Sequence, residues 1–82
     1  MTYEEIATKE YKVYFTMYND EKCEVGYISW TNNVYLYTDV LFEQEYPIFK
    51  SSSLTKLKCK ISNYYSNRDT IGKLEEKYPH LF

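Results

Sequence analysis

Catalytic chemistry in this chain would depend on one imidazole and two thiols. The sequence holds a single histidine, His80, and two cysteines, Cys23 and Cys59. His80 follows Pro79 near the end of the sequence, where we expect a mobile chain and therefore a poor general base. No serine stands in a G-x-S-x-G elbow, and there is no second histidine that could activate a nucleophile. We therefore predict a protein without enzymatic activity.

The same residues fall short of a metal or cofactor site. A structural zinc site needs four ligands, whereas this chain offers two cysteines and one histidine without C-x-x-C spacing. The only glycines, Gly26 and Gly72, are too far apart for a phosphate-binding loop. The sequence therefore predicts neither a metal nor a cofactor. We interpret Cys59, which lies among lysines, as a surface thiol of a reducing compartment.

Tyrosines are the most abundant side chains that could form a recognition surface. Eleven of the 82 residues are tyrosine, and aromatic residues make up 20% of the chain. From residue 34 onward, aliphatic side chains alternate with tyrosines, so we expect the aliphatic row to face the core and the tyrosine row to face away from it. Residues 11–18 alternate in the same way. The predicted outer row is Tyr14, Tyr18, Tyr35 and Tyr37, with Asp39 on the same side and Tyr27 joining if a bulge occurs at Gly26.

A tyrosine-rich sheet face is typical of a protein-binding surface, because each ring offers apolar area with a polar tip. Residues 1–48 carry nine acidic and three basic side chains, whereas residues 49–82 carry three acidic and seven basic ones. The predicted sheet belongs to the acidic part, which favours a basic protein partner and disfavours base stacking. A second copy of the chain, as a homodimer, or the chain's own termini could also cover this face.

Lysines on the predicted helix supply an alternative function. Lys56, Lys58 and Lys60 form a cluster of positive charge that could contact phosphates. Against this interpretation stand the formal net charge of −2, the sequence pI of about 5.3 and the single arginine. Nucleic-acid binding by this lysine-rich helix face is therefore the alternative to protein binding.

The apolar periodicity predicts an antiparallel sheet in the first part of the chain. Turn residues at 19–22 and 31–33 separate the segments, and the asparagines of the second turn tolerate the left-handed conformation that hairpins require. Residues 2–9 have the spacing of a capping box, so we expect a short helix or a frayed segment there. The predicted strands are 11–18, 23–31, 34–42 and a short edge strand around Pro47.

After Lys50 the apolar period changes from two residues to 3.6 residues, which predicts helices. A serine caps a helix of about fifteen residues. A second short helix begins at Asp69 as its cap and stops at Pro79. The apolar stripe of the first helix is Leu54, Leu57, Ile61, Tyr64 and Tyr65.

Together these elements predict a single α+β domain over residues 1–82, in which a three- or four-stranded antiparallel meander at 11–50 is covered on one face by the helical part at 51–82. Residues 1–10 precede the sheet as the short helical or frayed segment. No stretch approaches the roughly 18 apolar residues of a membrane span, and the first residues are acidic, unlike a signal peptide. We therefore expect a cytoplasmic protein that does not enter a membrane.

The overall composition adds a resemblance. Lysine outnumbers arginine nine to one, and Phe, Tyr, Met, Ile, Asn and Lys account for 36 residues while Gly, Ala, Arg and Pro account for 6. In this AT-rich coding pattern, in size and in single-domain economy, the chain resembles small accessory proteins of phages and mobile elements. Such proteins often act as stoichiometric inhibitors of host enzymes or defence systems. The resemblance implies an inhibitor in the host cytoplasm and carries over no individual residue.

Overall fold

A five-stranded antiparallel sheet and two helices build the protein. The computed structural model describes residues 1–16, 20–40 and 46–79. The strands follow the order β1-β2-β3-β4-β5, so that neighbours in sequence are neighbours in space, and the helices come last. This confirms the predicted α+β meander, although it has more strands than expected. The elements are β1 (Thr2–Ala7), β2 (Glu10–Thr16), β3 (Lys22–Thr31), β4 (Val34–Asp39), β5 (Phe49–Ser51), α1 (Leu54–Ser66) and α2 (Arg68–Lys77).

The additional strand is β1, where we expected a short helix or a frayed segment. Its register places Tyr3 opposite Val13 of β2, and Tyr3 packs against the core. Lys9, with a φ of 60°, turns the chain from β1 into β2. The helix prediction was wrong because a capping box stabilises an isolated helix end only slightly. Pairing with β2 gives hydrogen-bond partners to the backbone groups along one side of the whole segment.

A two-residue turn joins β3 to β4. Asn32 and Asn33 have φ values of 52° and 63°, the left-handed conformations predicted for them and the signature of a type I′ turn. Because only two residues lie between the strands, the register is fixed. Thr31 pairs with Val34, and Ile28 pairs with Tyr37.

A bulge occurs in β3 where the sequence predicted it. Val13 lies opposite Gly26 while Tyr14 lies opposite Glu24, so Val25 is the extra residue. The position requires glycine for steric reasons, because a Cβ there would collide with the Thr38 carbonyl oxygen and the Tyr37 ring. The bulge therefore lets the chain turn Val25 into the core and bring Tyr37 close to the β3 backbone.

Both helices have the caps that their sequence offers. The Ser53 side chain accepts a hydrogen bond from the Lys56 amide at 3.3 Å, as expected for a serine cap. In α2 the cap is Asn67 rather than Asp69, and its Oδ1 accepts from the Asp69 amide at 2.9 Å. The acidic Asp69 thus lies in the first turn, where it complements the helix dipole.

The core lies between one face of the sheet and the helices. Half-buried aromatic side chains such as Tyr3, Phe15, Phe49 and Tyr64 surround it. Within the described residues, no helix is long and apolar enough to cross a membrane. The buried apolar cluster consists of Val13, Cys23, Val25, Ile28, Tyr37, Leu57, Ile61, Tyr65 and Leu74.

Candidate binding face of the sheet

The sheet face that is turned away from the helices, here called the open face, is the candidate site. Its members follow from the strand registers, since directly paired residues point to the same side. Glu4 pairs with Lys12, Lys12 with Tyr27 and Tyr27 with Thr38, which defines one row across four strands. The open face carries Thr2, Glu4, Ala7, Glu10, Lys12, Tyr14, Thr16, Lys22, Glu24, Tyr27, Ser29, Thr31, Val34, Leu36, Thr38 and Lys50. Side-chain alternation adds Ile6, at the irregularity of β1, and Val40, the residue after β4.

Large apolar side chains are accessible on the open face. Ile6 is 51% exposed, and Tyr27 and Val40 are each 41% exposed. Tyr14 and Leu36 are half-buried beside them. Tyr14, Tyr27 and Leu36 belong to paired strands, so no backbone has to be ordered there when a partner covers them. The face therefore has the composition of an interface core, with aromatic and aliphatic anchors among polar residues.

The charges of the open face are balanced instead of acidic. Three acids, Glu4, Glu10 and Glu24, are accompanied by the three bases Lys12, Lys22 and Lys50. The prediction of an acidic face followed the net charge of residues 1–48 and included Asp39 on that face. The structure places Asp39 on the other face with no exposed surface.

Tyr14 and Tyr27 lie on the open face as predicted, but Tyr35 and Tyr37 do not. Tyr37 has no exposed surface, and half-buried Tyr35 packs its ring 4.4 Å from that of Trp30 on the helix-covered side. The aliphatic row of β4, expected in the core, points outward. Tyr18 lies outside the described residues.

The register explains this correction. A two-residue turn makes Ile28 and Tyr37 direct partners, and the buried Ile28 takes Tyr37 with it to the covered face. The signal was present in the sequence, because the Asn32-Asn33 turn ties the side of every β4 residue to the side of its β3 partner. The prediction from sequence instead assumed that the less polar side chains of β4, Val34 and Leu36, face the core.

On the covered face, Tyr37 belongs to a buried hydrogen-bonded cluster. The hydroxyls of Tyr37 and Tyr65 lie 2.6 Å apart, and the Tyr65 hydroxyl lies 3.4 Å from the Val25 carbonyl oxygen. Tyr64 donates a hydrogen bond to Asp39. The rings of Tyr64 and Tyr65 are 4.9 Å apart in an edge-to-face arrangement. This cluster connects α1 to β4 through polar contacts inside an apolar core.

Burial keeps these phenols protonated. Burial is the main cause that raises the pKa of both Tyr37 and Tyr65 well above 10, the ordinary tyrosine value. The pKa of Tyr64 is also raised, first by burial and then by the charge of Asp39. Proton transfer at neutral pH is therefore disfavoured at these groups, and the cluster acts as a structural connection.

The three lysines of the alternative interface do not point to one surface. Lys58 places its Nζ 4.7 Å from the centre of the Tyr3 ring and 5.8 Å from that of Tyr11, a cation–π contact with the sheet. Lys60 donates from Nζ to the Lys50 carbonyl oxygen at 3.1 Å. Lys56 is exposed. The helix directs Lys58 and Lys60 to different strands, because residues two apart lie on opposite sides of a helix.

The thiols follow the sequence expectation in their placement. Cys59 is exposed and Cys23 is buried, and both are free. Burial raises the pKa of the Cys23 thiol, which makes it less reactive. Across residues 1–16, 20–40 and 46–79, no three His, Cys, Asp or Glu side chains are grouped so that they could hold a metal ion.

A shallow groove lies between α1, α2 and β5, beside Lys60. It combines two aromatic side chains with neutral polar groups, and its one formal charge is that of Lys60. The lining side chains are Phe49, Lys60, Asn63, Tyr64, Asn67 and Thr70.

No protein-family model, curated protein or solved structure gives a significant match to this chain.

Proposed function

We propose that this protein is a noncatalytic protein-binding module whose interface is the open face of the sheet. The observation that carries the proposal is the accessible apolar group on that face. Of the five large apolar side chains that are exposed in the described part of the chain, Ile6, Tyr27 and Val40 belong to it. Tyr14 supplies a second aromatic ring at half burial.

Two free-energy terms support the proposal. Exposed apolar side chains gain free energy when a partner buries them, and covering them loses little side-chain entropy. Burying apolar area contributes about 25 cal/mol per Å², and tyrosine has few torsions to immobilise. Tyr27 occupies the central strand, where hot spots are expected because surrounding contacts exclude water. Lys12 and Glu4 beside it supply polar groups for orientation.

A stoichiometric inhibitor of a host enzyme or defence protein, of the kind found in phages, is the form of binding that suits this molecule best. The face presents side chains from all five strands, so it is suited to covering a partner's surface. Two free thiols, one of them exposed, suit the reducing cytoplasm of a host cell. The divided lysines give nucleic-acid binding less support.

Capture from host lysate on the immobilised protein tests the proposal. We expect Tyr27→Ser to abolish retention of the partner, since it removes the central ring and leaves the strand pairing intact. The matched control is Tyr46→Ser, because Tyr46 is 67% exposed and lies outside the strands. This control should capture the partner like the wild type.

The stoichiometry and the salt dependence complete the test. The purified partner should bind one chain per binding site in calorimetry, with an affinity that changes little between low and physiological salt. Equal retention of the partner by the Tyr27→Ser variant would contradict the proposed interface. Affinity for a labelled nucleic acid that falls steeply with salt would instead support the lysine alternative.

A further inference from the structure

We propose that the groove between α1, α2 and β5 binds a nucleoside monophosphate, with the base on its aromatic wall and the phosphate at Lys60. The groove has a volume of about 510 Å³, which is within the range of small-molecule sites, and it combines aromatic side chains with a few polar groups. It lies on the helix side of the sheet. A ligand bound there would therefore leave the open face free for a protein partner.

Phe49 of β5 and Tyr64 of α1 form the aromatic wall of the groove. Their ring centres are 5.5 Å apart, and the ring planes meet at 78°. Both side chains are half-buried and line the groove. A planar base can therefore stack on one ring while its edge packs against the other, and stacking of this kind accepts any base because every base has a π-face.

Thr70 supplies the observation that points to a ligand at the α2 end of the groove. Its side chain lines the groove and is only 6% exposed, and within residues 1–16, 20–40 and 46–79 its hydroxyl has no hydrogen-bond partner. Its amide also has no partner in these ranges, because the cap Asn67 accepts from Asp69 and the first backbone bond of α2 comes from Ile71. Burying such groups without partners costs free energy, and the polar atoms of a ligand would remove that cost.

The polar groups at the α2 end suit the edge of a nucleobase better than an anion. The Thr70 amide donates, the Thr70 hydroxyl donates or accepts, and the side-chain amides of Asn63 and Asn67 add donors and acceptors. Such a mixture matches the ring nitrogens and exocyclic groups of a base. Asp69 already supplies a negative charge to the first turn of α2, which disfavours a phosphate there.

Lys60 places a positive charge at the other end of the groove. Lys60, Asn63 and Asn67 follow one side of α1 at intervals of three and four residues, so Lys60 and Asn67 are about 10 Å apart along the helix axis. The Lys60 Nζ uses one hydrogen in its bond to the Lys50 carbonyl oxygen at 3.1 Å and keeps two for a phosphate. The groove thus offers a neutral polar end, an aromatic middle and a cationic end, in the order that a nucleoside monophosphate requires.

Titration of the full chain with adenosine monophosphate, followed by its amide resonances in nuclear magnetic resonance, tests the site. We expect a dissociation constant on the order of 100 µM, since a shallow groove leaves part of the ligand in water, with the largest shifts at Asn63, Asn67 and Thr70. Adenosine and inorganic phosphate, which each lack one part of the ligand, should bind at least about tenfold more weakly. Shifts that do not saturate at about 10 mM adenosine monophosphate would overturn the proposal.

Removing the charge of Lys60 tests the phosphate end. Lys60→Gln should weaken adenosine monophosphate at least about tenfold and leave the binding of adenosine unchanged. The matched control is Lys56→Gln, because Lys56 is exposed one turn earlier on α1 and does not line the groove. The control should bind like the wild type. Equal weakening by both substitutions would overturn the assignment of the phosphate to Lys60.

Thr70→Val tests the base end and separates a ligand contact from a structural role. Valine keeps the shape of threonine and removes a hydroxyl that has no partner in the described part of the chain, so the melting temperature should stay the same or rise. Adenosine monophosphate should nevertheless bind several-fold more weakly. Unchanged binding would overturn the assignment of the base to the α2 end, and an RNA oligonucleotide that binds more tightly than adenosine monophosphate would reject a free nucleotide as the ligand.

Discussion

The two faces of the sheet use the same side-chain type for opposite purposes. On the covered face, Tyr37 has no exposed surface and its hydroxyl lies 2.6 Å from that of Tyr65. On the open face, Tyr27 is 41% exposed and lies between Lys12 and Thr38. Strand register determines whether each ring is buried or exposed. The comparison teaches that a tyrosine in this protein is buried or accessible according to its cross-strand partner.

Truncating one tyrosine on each face should give the largest contrast. Tyr37→Ser removes a buried ring and leaves the Tyr65 hydroxyl without its partner, so we expect a loss of about 4 to 5 kcal/mol in the free energy of unfolding. A domain of 82 residues has about 4 to 12 kcal/mol in total. The variant should therefore unfold at a much lower urea concentration than the wild type.

The matched change on the open face is Tyr27→Ser. It removes a ring that water already reaches, so the loss of free energy should stay below about 1 kcal/mol. Urea denaturation followed by circular dichroism measures both values. Equal destabilisation by the two substitutions would show that the faces do not differ as described.

Adding a methyl group at each glycine is the second contrast. Gly26→Ala pushes a Cβ into the Thr38 carbonyl and the Tyr37 ring, and a backbone group cannot move aside cheaply, so we expect a loss of about 3 kcal/mol. Gly72→Ala should instead stabilise the protein by about 0.5 to 1 kcal/mol, because nothing lies within 4 Å of its Cβ position and α2 favours alanine. Thermal unfolding measures both shifts, and a gain in melting temperature for Gly26→Ala would refute the close packing of Tyr37 at the bulge.

Alkaline pH should destabilise the protein through the two buried tyrosines of the covered face. The folded-state pKa of both Tyr37 and Tyr65 is raised, mainly by burial. The stability linked to these groups is therefore fully present below the unfolded pKa of about 10 and is lost as the pH rises above it. Two such groups cost about 2.7 kcal/mol per pH unit above pH 10, so a domain with about 4 kcal/mol of stability should unfold between about pH 11 and pH 12. Absorbance at the phenolate band and circular dichroism follow the transition.

The control for the alkaline transition is the double variant Tyr37→Phe with Tyr65→Phe. Both rings stay in place, while the two hydroxyls that bond to each other are removed together, so the fold at neutral pH should be nearly as stable. The alkaline transition should move to higher pH in this variant. An unchanged transition would show that other groups cause the unfolding.

Local patterns in the sequence were sufficient for most elements. The left-handed asparagines at 32 and 33 and the serine cap of α1 follow from the conformational preferences of the residues present, and the glycine at 26 marked the site of the bulge. The strand β1 was missed, since its six residues lack apolar alternation and depend on β2 for their hydrogen bonds. In the candidate site, Tyr14 and Tyr27 were placed on the correct face, while Tyr35, Tyr37 and Asp39 were assigned to the wrong face.

The sequence by itself determined the α+β class, the turn at Asn32 and Asn33 and the apolar stripe of α1, because each depends on neighbours a few residues apart. Only the tertiary structure decided which row of β4 meets the helices. That choice depends on the pairing of Ile28 with Tyr37, on the space that Gly26 leaves and on the hydroxyl of Tyr65, 28 residues further along the chain than Tyr37. A polar aromatic residue can satisfy either environment, and so its side of the sheet is determined by the partner that three-dimensional packing supplies.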